Sequence, residues 1–520
     1  MTTPAITSVL LIDALNRTLR NPNASQRWHA LLELYSQEAN DELKGKILAT
    51  LAAGAPRQGI GGYLYLTFLF EITNDVAHLA EAAEQLLAIE PFDPDRLMAF
   101  AVYVWGVFIS KGGDRARFVD VLRMLRIPEL VGHVGGFVLE RAAKTLPPRQ
   151  VEAIRKVALV ASYIGQDSHA PTPLALQHAK LLKDLGYDVT LFSPQELRIP
   201  DMGEYFGNSA HLTTFAPDYA KLRKNVPEGI NVTLSDERFS LARRWDDLLI
   251  SLARFDPDLV MFVGLNSPFL SGVYQARPVL GLCVHAVQPM APCDVWLTAD
   301  SAQAGKSGTM WAPSLPAALG HHHPFRVKLK PRGAELARAE FDLSESGVVL
   351  LSVGARLRLE IGGEWAARMV ELLHRHPDVQ WLLVGGVAAR PAALLDLPDE
   401  QVLMLPYRDD IRSVMRTADI YVNPPRVGGG FSVAEAMAEG LAVLALQNSD
   451  GGDKIGAAAS ADIDAYFAEL ELLIQDGKLR RERGKAMRTL FAQTLDLDNS
   501  ADSLRAACEL SVERYRERTT

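Results

Sequence analysis

From residue 155 onward this chain of 520 residues alternates short apolar runs with amphipathic stretches, and it does so in two separate series. RKVALVASYIG is β-branched and apolar, TPLALQHAKLLKDLGY repeats apolar residues at helical spacing up to Gly186, and DVTLFSP is apolar again. A strand–helix–strand unit of this kind brings the chain back to the same end, so its strands pair in parallel. DPDLVMFVGL, ARPVLGLCVHAV and CDVWLTAD continue the series as strands. The polar, basic stretch GHHHPFRVKLKPRGAELARAEFDLSESG then interrupts it. Beyond that stretch GVVLLSVGARL, VQWLLVGG, VLMLPY, DIYVNPP and AVLALQ read as strands, with GEWAARMVELLHRHP, DDIRSVMRTA and SVAEAMAEG as helices among them.

The expected fold is therefore α/β, with two Rossmann-like domains over residues 155–330 and 340–500 and an amphipathic closing helix over 500–520. Residues 1–150 differ in texture. RWHALLELYSQEANDELKGKILATLAAG and DVAHLAEAAEQLLAIEPFDPDRLMAFAVYVWGVF carry apolar residues three and four apart and no alternating run, which predicts an all-helical domain. The apolar runs Ile60–Phe70 and Leu97–Ile109 are shorter than the ~20 residues that span a bilayer, so they read as buried helices. Peripheral contact with a membrane stays open.

A net charge of −9 spread over both signs, without a basic block, gives nucleic acid no electrostatic footprint. Cys283, Cys293 and Cys508 follow no metal-ligand spacing and read as reduced thiols. With no charged segment ahead of an apolar one at the N-terminus, a cytoplasmic protein is expected.

In open parallel sheets ligands sit beyond the carboxyl ends of the strands. In DIYVNPPRVGGGFSVAEAMAEG such an end is followed by Gly428, Gly429 and Gly430, with a helix beginning near Ser432. Glycines admit close approach of a ligand, and a helix N-terminus offers N–H groups and a positive dipole end to a diphosphate. Ser432 would cap that helix or donate to phosphate, and Glu435, one turn on, would accept from ribose hydroxyls. A glycine-rich turn that only reverses the chain fits the same residues. In LLSVGARLRLEIGGEW, the strand before Gly354 leads to Arg356, whose planar fork suits a pyrophosphate. Arg358 follows it.

In their order, SVGARLRLE, LLVGG, ADIYVNPPR and GGGFSVAEAMAEGLAV resemble the donor-binding half of GT-B glycosyltransferases over residues 345–490. The likeness is strongest to family 4 and related capsule or surface-polysaccharide enzymes. It implies a nucleotide-sugar donor, a UDP-sugar by expectation, with no cofactor and no bound metal. Arg356 would lie at the donor phosphates, with Gly354, Arg358 and Arg426 also in the donor site, Glu435 at the ribose, and the loop Gly428–Gly429–Gly430–Phe431–Ser432 against sugar and diphosphate. Asp453 and Lys454, in NSDGGDK after the next strand, would contact sugar hydroxyls or phosphate. The family pattern places a glutamate where this chain has Val427. That departure leaves the stereochemical outcome open and admits a non-catalytic subunit that docks a partner.

On the acceptor side, SYIGQDSHAPTP places Asp167 and His169 after the first strand, and GLCVHAVQP places His285 after a later one. A near-neutral imidazole there would take the proton of an acceptor hydroxyl, oriented by Asp167. The helical front domain is similar in layout to protein glycosyltransferases, so glycan, lipid-linked and protein acceptors all remain. A sugar-nucleotide 2-epimerase shares the two-domain layout without needing the helical part. The run His321–His322–His323, placed in the linker, is set aside as a metal site, since adjacent side chains diverge.

Overall fold

A computed structural model describes residues 3–110, 115–165, 169, 171–200, 202, 219–284, 287–325, 327–329, 331–385, 390–426 and 428–520. Up to residue 145 the described chain is helical, from Thr3–Arg20 to Ile127–Thr145. Gly59–Thr73 and Pro94–Ser110 contain the two apolar runs, and both are core helices: Tyr63 to Phe68 and Leu97 to Val104 are buried. Among the described residues no helix is long and apolar enough to cross a membrane.

The first sheet has eight strands: β1 (Lys156–Ala161), β2 (Asp188–Ser193), β3 (Asn231–Leu234), β4 (Leu259–Val263), β5 (Val279–Leu282), β6 (Val295–Thr298), β7 (Ser307–Gly308) and β8 (Ala318–His322). Their order is β3-β2-β1-β4-β5-β6-β8-β7, parallel except for β7. The second sheet has β9 (Val349–Val353), β10 (Gln380–Val384), β11 (Val402–Leu405), β12 (Ile420–Val422) and β13 (Ala442–Leu444), all parallel, in the order β11-β10-β9-β12-β13. Both sheets reverse direction of growth beside their first strand, between β1 and β4 and between β9 and β12. Ligands of doubly wound sheets enter at such points.

Alternate residues of β1 and β4 face opposite sides. Ala158, Val160, Val260 and Phe262 join an apolar cluster that continues through the helical domain as far as Leu11. Val157, Leu159, Met261 and Val263 face the helix Pro171–Asp184 and the C-terminal helix Ala501–Thr519. The front domain is thus fused to the first lobe by a shared core. The C-terminal helix also belongs to that lobe: Tyr515 Oη donates to the carbonyls of Arg149 and Ala276, each at 3.0 Å, and Arg518 Nε reaches Asp294 Oδ1 at 2.5 Å.

Two segments cross between lobes side by side. Val327 N donates to the Leu495 carbonyl (3.1 Å) and Leu497 N to the Val327 carbonyl (2.9 Å). His321 and His322 end β8 and are not linker residues. Strand alternation turns His321 and His323 to the same side, where their rings lie 3.3 and 3.0 Å from Ser503 Oγ, while His322 is exposed.

Candidate functional site

The second lobe brings the two donor-side motifs together because β9 and β12 are neighbours at the switch point. β9 delivers Gly354 and Arg356, and β12 delivers Asn423, Arg426 and the glycine run. The helix after it spans Gly430–Glu439, starting two residues earlier than Ser432. Gly429 is its N-cap, at φ 80°, and has no side chain of its own to cap it with. Ser432 is therefore not the cap. Its hydroxyl donates to the Gly429 carbonyl (2.9 Å) and accepts from Tyr421 Oη (2.8 Å), which ties the turn down.

Arg356 is part-exposed and lies against this turn. A Cβ on Gly428, itself at φ 103°, would stand 3.2 Å from Arg356 Nη2. Lys454, buried on the helix Asp450–Ile455, runs past the first residue of the Gly430–Glu439 helix, its Cε 3.2 Å from where a Cβ on Gly430 would be. Asp453 and Glu435 are half-buried nearby in sequence order, and Phe431 touches the apolar clusters of both lobes, so it marks where they meet. Basic side chains beside a glycine turn at the positive end of a helix suit an anion, and Arg356 is held there by its pairing with Glu360.

Arg426, expected among the donor-binding residues, turns into the core. It is buried, and Nε donates to Asn423 Oδ1 (3.0 Å), Nη1 to Glu360 Oε2 (2.9 Å) and Nη2 to the Val353 carbonyl (3.0 Å). Burial works against its charge, but Glu360 and Tyr421 outweigh that and hold its pKa above the ordinary value. A Cβ on Gly354 or on Gly429 would run into this guanidinium. Those two glycines make room for Arg426, where the sequence suggested room for a ligand. Arg358 is exposed on the solvent side of the short helix Leu357–Glu360. Glu360 was the residue that sequence reasoning passed over, although its i, i+4 spacing from Arg356 was visible.

On the first lobe, His169 is buried, its ring edge-on to Tyr163 at 5.2 Å and its Nδ1 3.5 Å from Thr172 Oγ1. Asp167 and His285, the other two acceptor-side candidates, lie outside the described residues, as does Val427. Sequence reasoning also missed Glu196, after β2, which is fully buried. Its Oε1 accepts from Trp245 Nε1 (2.9 Å) and from Phe269 N (3.1 Å). Neighbouring Arg244 has its guanidinium engaged by the carbonyls of Phe239, Gln195 and Glu237.

Burial pushes the Glu196 pKa up to about 7 against the pull of Ser267, Phe269 and Trp245. The folded chain then keeps a proton that the unfolded chain releases near 4.5. Its contribution is fully present below 4.5 and falls away as pH rises to 7, by about 3 kcal/mol. Urea unfolding across this range is expected to show that loss in the wild type and not in Glu196→Gln. Equal slopes in the two proteins would refute the assignment.

Residues 347–476 match the family model described as glycosyl transferases group 1. Among solved structures, a mutant O-GlcNAc transferase of Thermobaculum terrenum aligns with a TM-score of 0.56 at 14% identity, over 99% of each chain. WaaG, a glycosyltransferase of lipopolysaccharide biosynthesis, aligns at 0.41 and 14%, over 67% of this chain and 98% of its own. SnogD of Streptomyces nogalater aligns at 0.38 and 18%, over 69% and 100%. A comparison with curated proteins finds no sequence match. Fold and domain define the class: a two-sheet GT-B frame with a helical region in front, carrying a glycosyl transferase domain. Residues 347–476, a quarter of the chain, carry the glycosyl transferase domain itself.

Proposed function

We propose that this chain moves a sugar from a nucleotide-sugar donor, a UDP-sugar by expectation, to a glycan, lipid-linked or protein acceptor. The observation that carries the reading is the placement of Arg356 beside Gly428 and of Lys454 beside Gly430, at the glycine-led start of the Gly430–Glu439 helix by the β9/β12 switch point. There the leaving diphosphate would be stabilised by fixed dipoles and cations in place of a metal. Glu435 would take the ribose. The acceptor would enter from the β1/β4 side, and closing of the lobes would keep water from the sugar. The helical region, which shares a core with the first lobe, would bind the acceptor or a partner. A donor of this kind and three buried cysteines outside any disulfide fit the cytoplasm.

Val427, at the position where the resemblance places a glutamate, favours one second reading, a subunit that binds nucleotide without turnover. Thermal melting with UDP, GDP, CMP and dTDP tests the donor site. One nucleotide at about 100 times its Kd should add ~2.7 kcal/mol of stability, and Arg356→Ala should remove that gain. A folded wild type that responds to none of the four sinks the reading. Binding without sugar transfer or hydrolysis selects the second.

A further inference from the structure

We infer that Glu360 is a positioning residue that aims Arg356 at the Gly428 turn, and that Arg426 makes this possible without cancelling the positive charge. The inference rests on the donor-site reading and names what sets affinity there. Glu360 has a side chain only 1% exposed, and both its oxygens are in use. Oε1 takes Arg356 Nε at 3.1 Å and Nη2 at 3.0 Å, and Oε2 takes Arg426 Nη1 at 2.9 Å.

Arg426 cannot drift, because Asn423 at the end of β12 and the Val353 carbonyl at the end of β9 hold its other nitrogens. Rigidity therefore passes from two strand ends through Arg426 and Glu360 to the one guanidinium of the three-group chain that is part-exposed.

The charge balance follows from the same contacts. A lone Arg356–Glu360 pair would offer a diphosphate a neutral dipole. With the second guanidinium buried behind it, the triad keeps one net positive charge, and Arg356 is the member that can present it. A free arginine at a site loses rotamer freedom on binding, at a cost of roughly 0.5–1.5 kcal/mol. Glu360 has Arg356 ordered beforehand, beside the turn that a Cβ on Gly428 would close to 3.2 Å.

The test is calorimetric titration of UDP, GDP and dTDP into wild type, Glu360→Gln, Arg356→Ala and the double variant. Glu360→Gln should weaken the nucleotide that binds by about tenfold, in line with the ordering cost. Arg356→Ala should weaken it further, and adding Glu360→Gln to Arg356→Ala should change nothing more. Glu360→Asp, which keeps the charge for Arg426 but withdraws from Arg356, should also weaken binding while its melting temperature stays close to wild type. Wild-type affinity in both Glu360 variants overturns the inference alone. So does an equal loss from Glu360→Gln with and without Arg356, which would mark a general structural effect. A wild type that binds none of the three nucleotides overturns the donor-site reading and this inference with it.

Discussion

Arg426→Met is expected to destabilise the protein by about 3–5 kcal/mol, because it leaves the Glu360 carboxylate buried with one of its two cationic partners removed. Two further losses add to this. The Val353 carbonyl and Asn423 Oδ1 each lose a donor, and the space that Gly354 and Gly429 keep open beside the guanidinium is refilled by a side chain of another shape. The double variant Arg426→Met/Glu360→Gln should recover part of the stability, since a neutral amide is cheaper to bury than an unbalanced carboxylate. Urea unfolding of the three proteins measures this. The outcome also separates two roles for Arg426. A phosphate-binding arginine would lose nucleotide affinity with little change in stability, whereas a buried one loses stability first. A drop below about 1 kcal/mol, the level of surface pairs, would return Arg426 to the ligand and contradict its place in the core.

The same arginine shows where sequence reasoning stops. Short apolar runs separated by amphipathic helices make the second sheet and the central strands of the first legible, but not β3, β7 or β8, and the strand-end rule puts Arg356 and the glycine run on one edge. It could not say which way a strand-end side chain turns. Arg356 and Arg426 are both arginines just beyond neighbouring strands, yet one lies at the turn and the other points back between β9 and β12. The difference is made by Glu360, a residue sixty-six positions from Arg426. Local spacing registers its tie to Arg356 but not its tie to Arg426. The glycines misled for the same reason. The run Gly428–Gly430 reads as room for a ligand, but at Gly429, and at Gly354, the group that approaches is this chain's own guanidinium. Amphipathic periodicity likewise reported that residues 500–520 form a helix with one apolar face. Nothing in the period says that Leu504, Ala507 and Cys508 pack on the first lobe after the chain has completed the second. The histidine run was misplaced because β8 ends in polar residues that look like linker.

Gly272→Val is expected to loosen the helical domain from the first lobe while leaving the donor site intact. Gly272 lies in the short helix Phe269–Tyr274 after β4, packed against Ile127–Thr145, the last helix of the front domain. A Cβ on Gly272 would sit 2.5 Å from Ala142 Cβ and 3.3 Å from both Val138 Cγ1 and its carbonyl. From the other side, a Cβ on Gly135 would collide with Ser271 Oγ and come within 3.0 Å of Ser271 Cβ. The two helices thus touch through small residues in both directions, and a branched side chain has backbone on one side and a methyl group on the other. Overpacking of this kind costs typically 1–3 kcal/mol, and the upper end is expected where neither helix can yield. The apolar clusters of the second lobe share no residue with this seam, so nucleotide binding should survive. Gly136→Ala is the control: its Cβ meets nothing within 4 Å, and replacing a mid-helix glycine by alanine should add about 0.5–1 kcal/mol. Melting curves with limited trypsin digestion around Arg149 and Arg155 read the result. Gly272→Val should unfold in two steps and be cut between the domains, with its second transition still raised by nucleotide. If it melts in one step at the wild-type temperature, the front domain is held by something other than this seam. If the nucleotide response disappears as well, the two lobes are coupled more tightly than their separate cores imply.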